Sequence, residues 1–433
     1  MRYNLRMFSR IEALRFRALH HLSLDLDPFH VLIGPNGSGK STFLDVIGFL
    51  GDLLRAGPAA AVIGDSRLGV APRASDPAHL CWMRKPGTFE LAVELEIPED
   101  RRPTNNGKQT HARYEIAIDV GSENEPLRIA AESLWLIPKP EPVPTLSAQT
   151  MFFPSLHAVP ETLIEPKTRT NRTGWKRVVS KTAESGNDYF SAENSGWSAP
   201  FRLGATRSAL ANLPEDEARF PAAIWVKALL TERIQRVVLD AQEMRLPSPP
   251  SAPRTFVPDG SNLPWVIDAL QNESPATFEK WLSHVRTALP DLRGVHTIVR
   301  EEDRHRYLVV EYENGLRAPA WLVSDGTLRL LALTLLAYAP TTGVVLIEEP
   351  ENGIHPRAIE TVYQSLRSVY DAQVLCASHS PIVLGLARPN EVLCFAKDST
   401  GATDVVRGSD HPRLRDWKRD ADLGTLFAAG VLG

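Results

Sequence analysis

The segment GPNGSGKST, residues 34–42, has the composition and spacing of a loop that holds phosphate. It fits the pattern G-x-x-x-x-G-K-[ST], in which glycines let backbone N–H groups curl around an anion without Cβ clashes. In this pattern Lys40 reaches the β- and γ-phosphate oxygens, and the hydroxyl of Ser41 ligates Mg²⁺. The predicted phosphate-contacting residues are Gly34, Pro35, Asn36, Gly37, Ser38, Gly39, Lys40, Ser41 and Thr42. The alternative is a glycine-rich turn that matches the pattern by chance.

An acidic pair, Glu348 and Glu349, follows four apolar residues, Val344 to Ile347. A buried strand carries such a pair to the carboxyl edge of a parallel sheet, where a phosphate loop also lies. We therefore expect Glu348 to hold Mg²⁺ through water. We expect Glu349 to polarise an attacking water molecule, which must lie within its hydrogen-bond reach. The alternative is a solvated acidic turn.

Two other segments could also reach a phosphate. SDGT, residues 324–327, precedes an apolar helix and combines free N–H groups, a hydroxyl and a glycine. Taken alone it is more simply a plain N-cap. The apolar run Val374–Ala377 ends in Ser378 and His379. A neutral histidine at a sheet edge can bond a γ-phosphate or the attacking water, whereas a lone histidine usually just caps a loop.

The elements around these motifs predict an α/β fold. Ile11–Phe16 and Leu22–Leu26 alternate as half-buried strands do, and Phe29–Ile33 is typical of a strand buried on both faces. A helix follows the phosphate loop, and Gly57 and Pro58 are expected to end it. A small antiparallel sheet is predicted from the apolar runs near 89–97, 112–120 and 127–137.

We divide the chain into three parts. Residues 1–137 hold the phosphate loop and the antiparallel β lobe. Residues 138–290 form an irregular, mostly helical insert, with helices predicted over 221–242 and near 263–288. Residues 291–433 return to α/β character and carry the acidic pair and the histidine.

Composition excludes several classes of protein. The 433 residues are 43% hydrophobic and carry a net charge of −4, which argues against disorder and against a globally basic nucleic-acid coat. Three scattered cysteines offer neither a disulfide framework nor a zinc pair. The most apolar run, residues 330–339, is too short to span a bilayer. We expect a cytoplasmic protein that has no membrane partner.

The order of these motifs resembles that of ABC-type ATPases of the SMC and RecF class. The amino-acid sequences of the motifs are similar to those of bacterial AAA-family ATPases related to the overcoming-lysogenization-defect nucleases. The residues that carry this resemblance are GPNGSGKST, SDGTLRLLAL, IEEPENGIHP, ASHSP, PDGSNL at 258–263 and the tail DLGTLFAAGVLG. The resemblance implies a P-loop NTPase of the ABC-ATPase head type with an antiparallel β lobe and a helical insert.

The resemblance also implies that ATP and Mg²⁺ are the cofactors and that a homodimer, or a higher even oligomer, sandwiches the ATP molecules. The signature residues that would contact ATP held by the partner subunit are Ser324, Asp325, Gly326 and Thr327. Asn352 and His355 would form a loop that crosses the interface. The usual Q-loop glutamine has no clear place, with Gln109 and Gln149 as candidates. Too few residues follow His379 for a TOPRIM nuclease domain, so we expect any nuclease to act in trans.

Three functions remain open. The first is an ATP-switched controller or sensor for a separate TOPRIM-like nuclease or toxin in anti-phage defence. The second is a RecF-like DNA repair or recombination ATPase, and the third is a module that holds ATP with little hydrolysis. A surface for DNA or a protein partner is suggested by the basic run Lys167, Arg169, Arg172, Lys176, Arg177 and Lys181, although a solvated loop is the simpler interpretation.

Overall fold

Two sheets with different strand pairing organise the chain. The computed structural model describes residues 6–103, 108–121, 125–142, 153–166, 174–182 and 187–412. The first sheet is antiparallel, in the order β2-β1-β4-β5-β6-β7-β8-β9. Its strands are β1 (Phe8–Phe16), β2 (Leu19–Asp25), β4 (Gly87–Glu96), β5 (His111–Val120), β6 (Arg128–Ile137), β7 (Lys176–Thr182), β8 (Asp188–Ser191) and β9 (Ser198–Phe201).

The second sheet has six strands in the order β10-β14-β15-β3-β16-β17. Its strands are β10 (Ile234–Val237), β14 (Gly343–Glu348), β15 (Ala372–Ala377), β3 (Phe29–Ile33), β16 (Val392–Lys397) and β17 (Thr403–Arg407). Neighbouring strands are parallel except for β17, which pairs antiparallel with β16. The carboxyl ends of β14, β15 and β3 therefore meet at one edge.

Helices cover both faces of the parallel sheet, as its continuous apolar strands require. The described helices are α1 (Lys40–Ile63), α2 (Pro221–Glu232), α3 (Ala241–Arg245), α4 (Leu263–Glu273), α5 (Pro275–Ala288), α6 (Asp325–Leu335), α7 (Pro356–Arg367) and α8 (Pro381–Leu386). A small antiparallel sheet of β11 (Leu292–Val299), β12 (Arg306–Tyr312) and β13 (Arg317–Pro319) packs against α4 and α5. Leu32 and Leu346 belong to the core shared with α1, whereas Val31 and Ile347 belong to the core on the opposite face.

Helix α1 lies between the two sheets. Gly57, with φ 85°, breaks its helical geometry, and a further turn then continues to Ile63, so the expected end of the helix at Gly57–Pro58 is a kink. Within the described residues α1 is long and apolar enough to cross a membrane, but 61% of its most apolar window is buried inside the protein. Its contacts with both sheets are those of a core helix.

The insert differs from the prediction in one place that matters for the site. The helix predicted over 221–242 is wrong beyond Glu232, because Ile234–Val237 forms β10 and pairs in parallel with β14. Residues 138–290 also supply β7, β8 and β9 to the antiparallel sheet. The insert therefore adds strands to both sheets as well as helices. The boundaries at 137 and 290 stay a prediction.

Candidate functional site

The carboxyl edge of the parallel sheet brings the predicted motifs to one cavity. The loop after β3, the end of β14 and the loop after β15 surround a volume of about 220 Å³. Its lining consists of Asn36, Gly37, Gly39, Lys40, Ser41, Thr42, Glu348, Glu349, Ala377 and His379. The sequence predicted every one of these except Ala377.

The phosphate loop is shaped by glycines with positive φ. Gly34 has φ 146° and Gly39 has φ 108°. A Cβ at Gly34 would lie 2.2 Å from the carbonyl oxygen of Phe395, and one at Gly39 would lie 2.3 Å from Thr403 Oγ1. The Thr403 hydroxyl also donates to the carbonyl of Ser38 at 2.8 Å. The hairpin of β16 and β17 therefore supports the loop from below.

Helix α1 begins at this loop without a side-chain cap, since Gly39 occupies the N-cap position. Its first N–H groups are therefore available to an anion in the cavity. Lys40 is buried, and its Nζ donates to the carbonyls of Gly34 at 2.7 Å and Pro35 at 3.1 Å. Burial lowers the pKa of Lys40, and the nearby carboxylates of Glu349 and Glu348 partly offset this shift.

Two side chains with oxygen atoms that could ligate Mg²⁺ lie together at the end of the phosphate loop. The Ser41 hydroxyl donates to one carboxylate oxygen of Glu348, and Arg236 donates to the other at 2.6 Å. Mg²⁺ prefers oxygen ligands and keeps several waters in nucleotide sites, so one hydroxyl and one carboxylate fit it. No cluster of three or more His, Cys, Asp or Glu suited to a metal occurs in the described part of the chain.

Glu349 occupies a strained backbone position at the mouth of the cavity. Its φ is 49°, in the left-handed region that costs a non-glycine residue about 1–3 kcal/mol. Its N–H donates to the carbonyl of Ala377 at 2.8 Å, which ties the turn after β14 to the end of β15. The exposed carboxylate is thereby held beside the loop that carries His379.

The signature segment lies outside this cavity. Ser324 is the N-cap of α6, and its hydroxyl accepts from the N–H of Thr327 at 3.2 Å. Asp325 pairs with Arg245. A Cβ at Gly326 would lie 2.5 Å from the carbonyl oxygen of Gly353. The start of α6 therefore packs on the turn that follows Glu349, while Ser324 itself is exposed.

Sequence reasoning missed two residues of the site. Arg236 lies in a segment predicted as helix, because the four residues of β10 carry too little periodicity to distinguish a strand from a helix end. Glu351 accepts hydrogen bonds from the Ser378 hydroxyl and the His379 N–H, at 2.8 and 3.0 Å. Glu351 lies within the motif IEEPENGIHP, but the roles predicted from that motif were at Glu348, Glu349, Asn352 and His355.

Other predicted features lie elsewhere. Gln109 donates to the carbonyl of Gly174, beside the antiparallel sheet, and does not line the cavity. The Asn262 side chain of PDGSNL holds its own loop through Pro253, Thr255 and Val257, which is a structural role. Gln149 and the tail DLGTLFAAGVLG lie outside the described residues.

The basic run is only partly described, since residues 167–173 lie outside the described ranges. Lys176 donates to the backbone carbonyls of Glu193 and Ser195, and Lys181 forms a buried ion pair with Asp188. The guanidinium of Arg177 packs on the Trp135 ring. These three cations of β7 have partners within the chain, so they do not favour a DNA-binding surface.

Family models cover most of the chain. The AAA_21 family, described as "AAA domain, putative AbiEii toxin, Type IV TA system", matches residues 29–142 and 153–385. A second model, described as a protein of unknown function, matches residues 6–51. None of the curated proteins matches the sequence.

Solved structures of SMC heads are similar in fold. An SMC head bound to the C-terminal winged-helix domain of ScpA has a TM-score of 0.50 and 12% identity, over 92% of this chain and 97% of that one. An SMC head domain with an extended coiled coil, bound to the C-terminal domain of ScpA and derived from Pyrococcus furiosus, has a TM-score of 0.47 and 11% identity, over 93% of this chain and 96% of that one. The SMC head domain from Thermotoga maritima has a TM-score of 0.40 and 11% identity, over 93% of this chain and 98% of that one.

At this identity the first of these structures shows the fold alone. The family match extends over most of the chain and includes the residues that line the cavity, from the phosphate loop to His379. The chain belongs to the AAA_21 family of AAA domains, and its fold is that of the ABC-type ATPase head found in SMC proteins.

Proposed function

We propose that this protein is a cytoplasmic, Mg²⁺-dependent ATP hydrolase that works as an ATP-sandwich dimer and controls a separate effector. The observation that carries the proposal is that the phosphate loop, both carboxylates and His379 line one and the same cavity. A phosphate cradle without a candidate base would fit nucleotide storage, whereas this cavity contains both.

Each residue has a distinct task in the proposed reaction. Lys40 and the N–H groups at the start of α1 bind the phosphate oxygens, and Ser41 and Glu348 hold Mg²⁺. The bound metal supplies positive charge that neutralises the phosphates. Glu349 accepts a hydrogen bond from the attacking water and orients it, and His379 contacts the γ-phosphate or that water.

Separate observations support the proposed dimer and the proposed effector. Ser324 is exposed at a helix N-terminus outside the cavity, where its hydroxyl can meet the γ-phosphate of an ATP held by a second copy. The family description, "putative AbiEii toxin, Type IV TA system", links the family to toxin–antitoxin systems, and an SMC head of this fold is bound to a separate protein, ScpA. We therefore favour control of a toxin or nuclease partner in anti-phage defence.

Light scattering on Glu349→Gln tests the proposal. This variant should bind ATP without turnover, so its molar mass should double when ATP and Mg²⁺ are added. The control is the double variant Lys40→Ala/Glu349→Gln, which should stay at the lower mass under all conditions. An unchanged mass would contradict the sandwich. ATP turnover equal to that of the wild type would contradict the role of Glu349 and favour a module that only holds ATP.

A further inference from the structure

The turn after β14 joins three parts of the site within one subunit. It begins at Glu349, whose N–H donates to Ala377, and it closes through the N–H of Ile354, which donates to the carbonyl of Glu351 at 3.0 Å. Gly353 presents its carbonyl to Gly326 at the start of α6. The start of α6 and Glu349 are therefore joined through this one turn.

Glu351 connects the same turn to the histidine loop. One oxygen, Oε1, accepts from the hydroxyl of Ser378 and from the N–H of His379. Ser378 is fully buried, and its own N–H donates to the carbonyl of Leu32 at the end of β3. Glu351 thus fixes the backbone at which the His379 side chain enters the cavity.

The other carboxylate oxygen of Glu351 is buried and has no hydrogen-bond partner among the described residues. A buried polar atom without a partner costs free energy, and such an atom in a native fold calls for an explanation. The first oxygen, by contrast, satisfies two donors of the histidine loop, and an apolar side chain at this position would leave both without this acceptor.

We propose that Glu351 is a positioning residue that holds His379 in register with Glu349 for hydrolysis of the γ-phosphate. This inference rests on the proposed ATPase function. Its contacts do not involve Lys40, Ser41 or the start of α1, which are the groups that bind the phosphates. Loss of Glu351 should therefore reduce kcat and leave the affinity for ATP unchanged, because misplacing a catalytic group by about 1 Å can cost on the order of 100-fold in rate.

The experiment compares Glu351→Ala, Glu351→Gln and His379→Ala with the wild type. It measures kcat by phosphate release, the dissociation constant of a fluorescent ATP analogue with Mg²⁺, and the melting temperature. Glu351→Ala should lower kcat at least tenfold with a dissociation constant within threefold of the wild type. Glu351→Gln keeps an acceptor for both donors, so its kcat should stay within threefold.

A double-variant cycle separates positioning from general support of the fold. If Glu351 acts through His379, adding Glu351→Ala to His379→Ala should lower kcat no further. Losses that multiply, a Glu351→Gln variant as slow as Glu351→Ala, or an unchanged kcat in Glu351→Ala would each overturn the inference.

A second measurement does not need turnover. Glu351→Ala should shift the ring resonances of His379 in histidine-labelled protein, with His379→Ala identifying the signal, and Glu351→Gln should leave them in place. Unmoved resonances in Glu351→Ala would overturn the inference even if the wild type proved inactive. An inactive wild type with shifted resonances would instead contradict the proposed function and support the positioning role.

Discussion

Two helix N-termini lie near the same edge of the parallel sheet, and they are built differently. Helix α1 starts at Gly39, which has no side chain to cap it, inside a cavity of about 220 Å³. Helix α6 is capped by its own Ser324, and Asp325 in its first turn pairs with Arg245. The first terminus leaves its N–H groups to an anion, whereas the second already satisfies part of its own.

The difference shows that a glycine at a helix N-terminus does not have the same role in the two segments of this chain. Glycines of the phosphate loop shape a cavity that the subunit completes alone. Gly326 has an explanation within the chain, its contact with Gly353. Its presence therefore does not by itself establish a phosphate site. In the proposed dimer α6 meets ATP only across the interface, so variants at the two termini should behave differently.

The largest effect is expected at the first terminus. Lys40→Ala removes a buried cation aimed at the phosphate loop, and such a charged hydrogen bond contributes about 1.5–3 kcal/mol. ATP affinity should fall roughly 10- to 100-fold, as measured by titration of a fluorescent ATP analogue into the monomer. Ser324→Ala is the matched control and should bind the analogue as the wild type does under those conditions. Equal losses in the two variants would remove the distinction between the termini.

Gly326→Ala probes the contact between α6 and the turn after β14. The added Cβ would meet a backbone carbonyl at 2.5 Å, so the turn must shift, and overpacking of this kind costs about 1–3 kcal/mol. We expect a lower unfolding free energy in urea and a lower kcat with unchanged ATP affinity. Gly196→Ala, at a glycine without positive φ where the added Cβ would have no atom within 4 Å, is the matched control for the glycine-to-alanine change itself. Unchanged stability of Gly326→Ala would show that the packing contact is dispensable.

Ser324 separates a plain N-cap from a contact with the partner's ATP. Ser324→Ala should lose about 1 kcal/mol of stability through the missing cap. If the hydroxyl also meets ATP across the interface, kcat and ATP-dependent dimerisation should fall as well, by roughly tenfold for a neutral hydrogen bond of about 1.4 kcal/mol. Ser324→Thr keeps both the cap and a hydroxyl and should retain activity. A loss of stability with unchanged kcat and dimerisation would mean that Ser324 only caps α6.

The smallest effect is expected at the hairpin of β16 and β17, which supports the phosphate loop. His157 Nε2 lies 2.9 Å from Asp404, next to the Thr403 that supports the phosphate loop, and this hydrogen bond raises the pKa of His157 above its ordinary 6.5. Since the folded state binds the proton more tightly, the stabilisation is complete below pH 6.5 and is lost as pH rises through the raised pKa.

The exposed fraction of His157, 37%, limits the contribution to about 0.2–1 kcal/mol. His157→Gln should remove this part of the pH dependence of the melting temperature between pH 6 and 8. The wild-type slope persisting in the variant would assign it to other groups.

Most of the cavity could be predicted because its residues belong to contiguous motifs with fixed spacing. The pattern of residues 34–42 requires glycines for backbone curvature, and four apolar residues before Glu348 suffice to predict a buried strand. The strand Ile234–Val237 could not be distinguished from the end of a helix, because four residues carry too little periodicity and only pairing with β14 decides between them. Arg236 was missed for that reason.

The sequence by itself determined the chemistry of this protein: a phosphate loop, two carboxylates after a buried strand and a histidine after another. Short-range steric and hydrophobic patterns specify such features. The tertiary structure alone decided which side chains support them. Arg236 reaches Glu348, 112 residues further along the chain, because β10 pairs with β14, and Glu351 reaches His379 from the neighbouring strand end. These contacts depend on how the strands are ordered in the sheet, and no local pattern encodes that order.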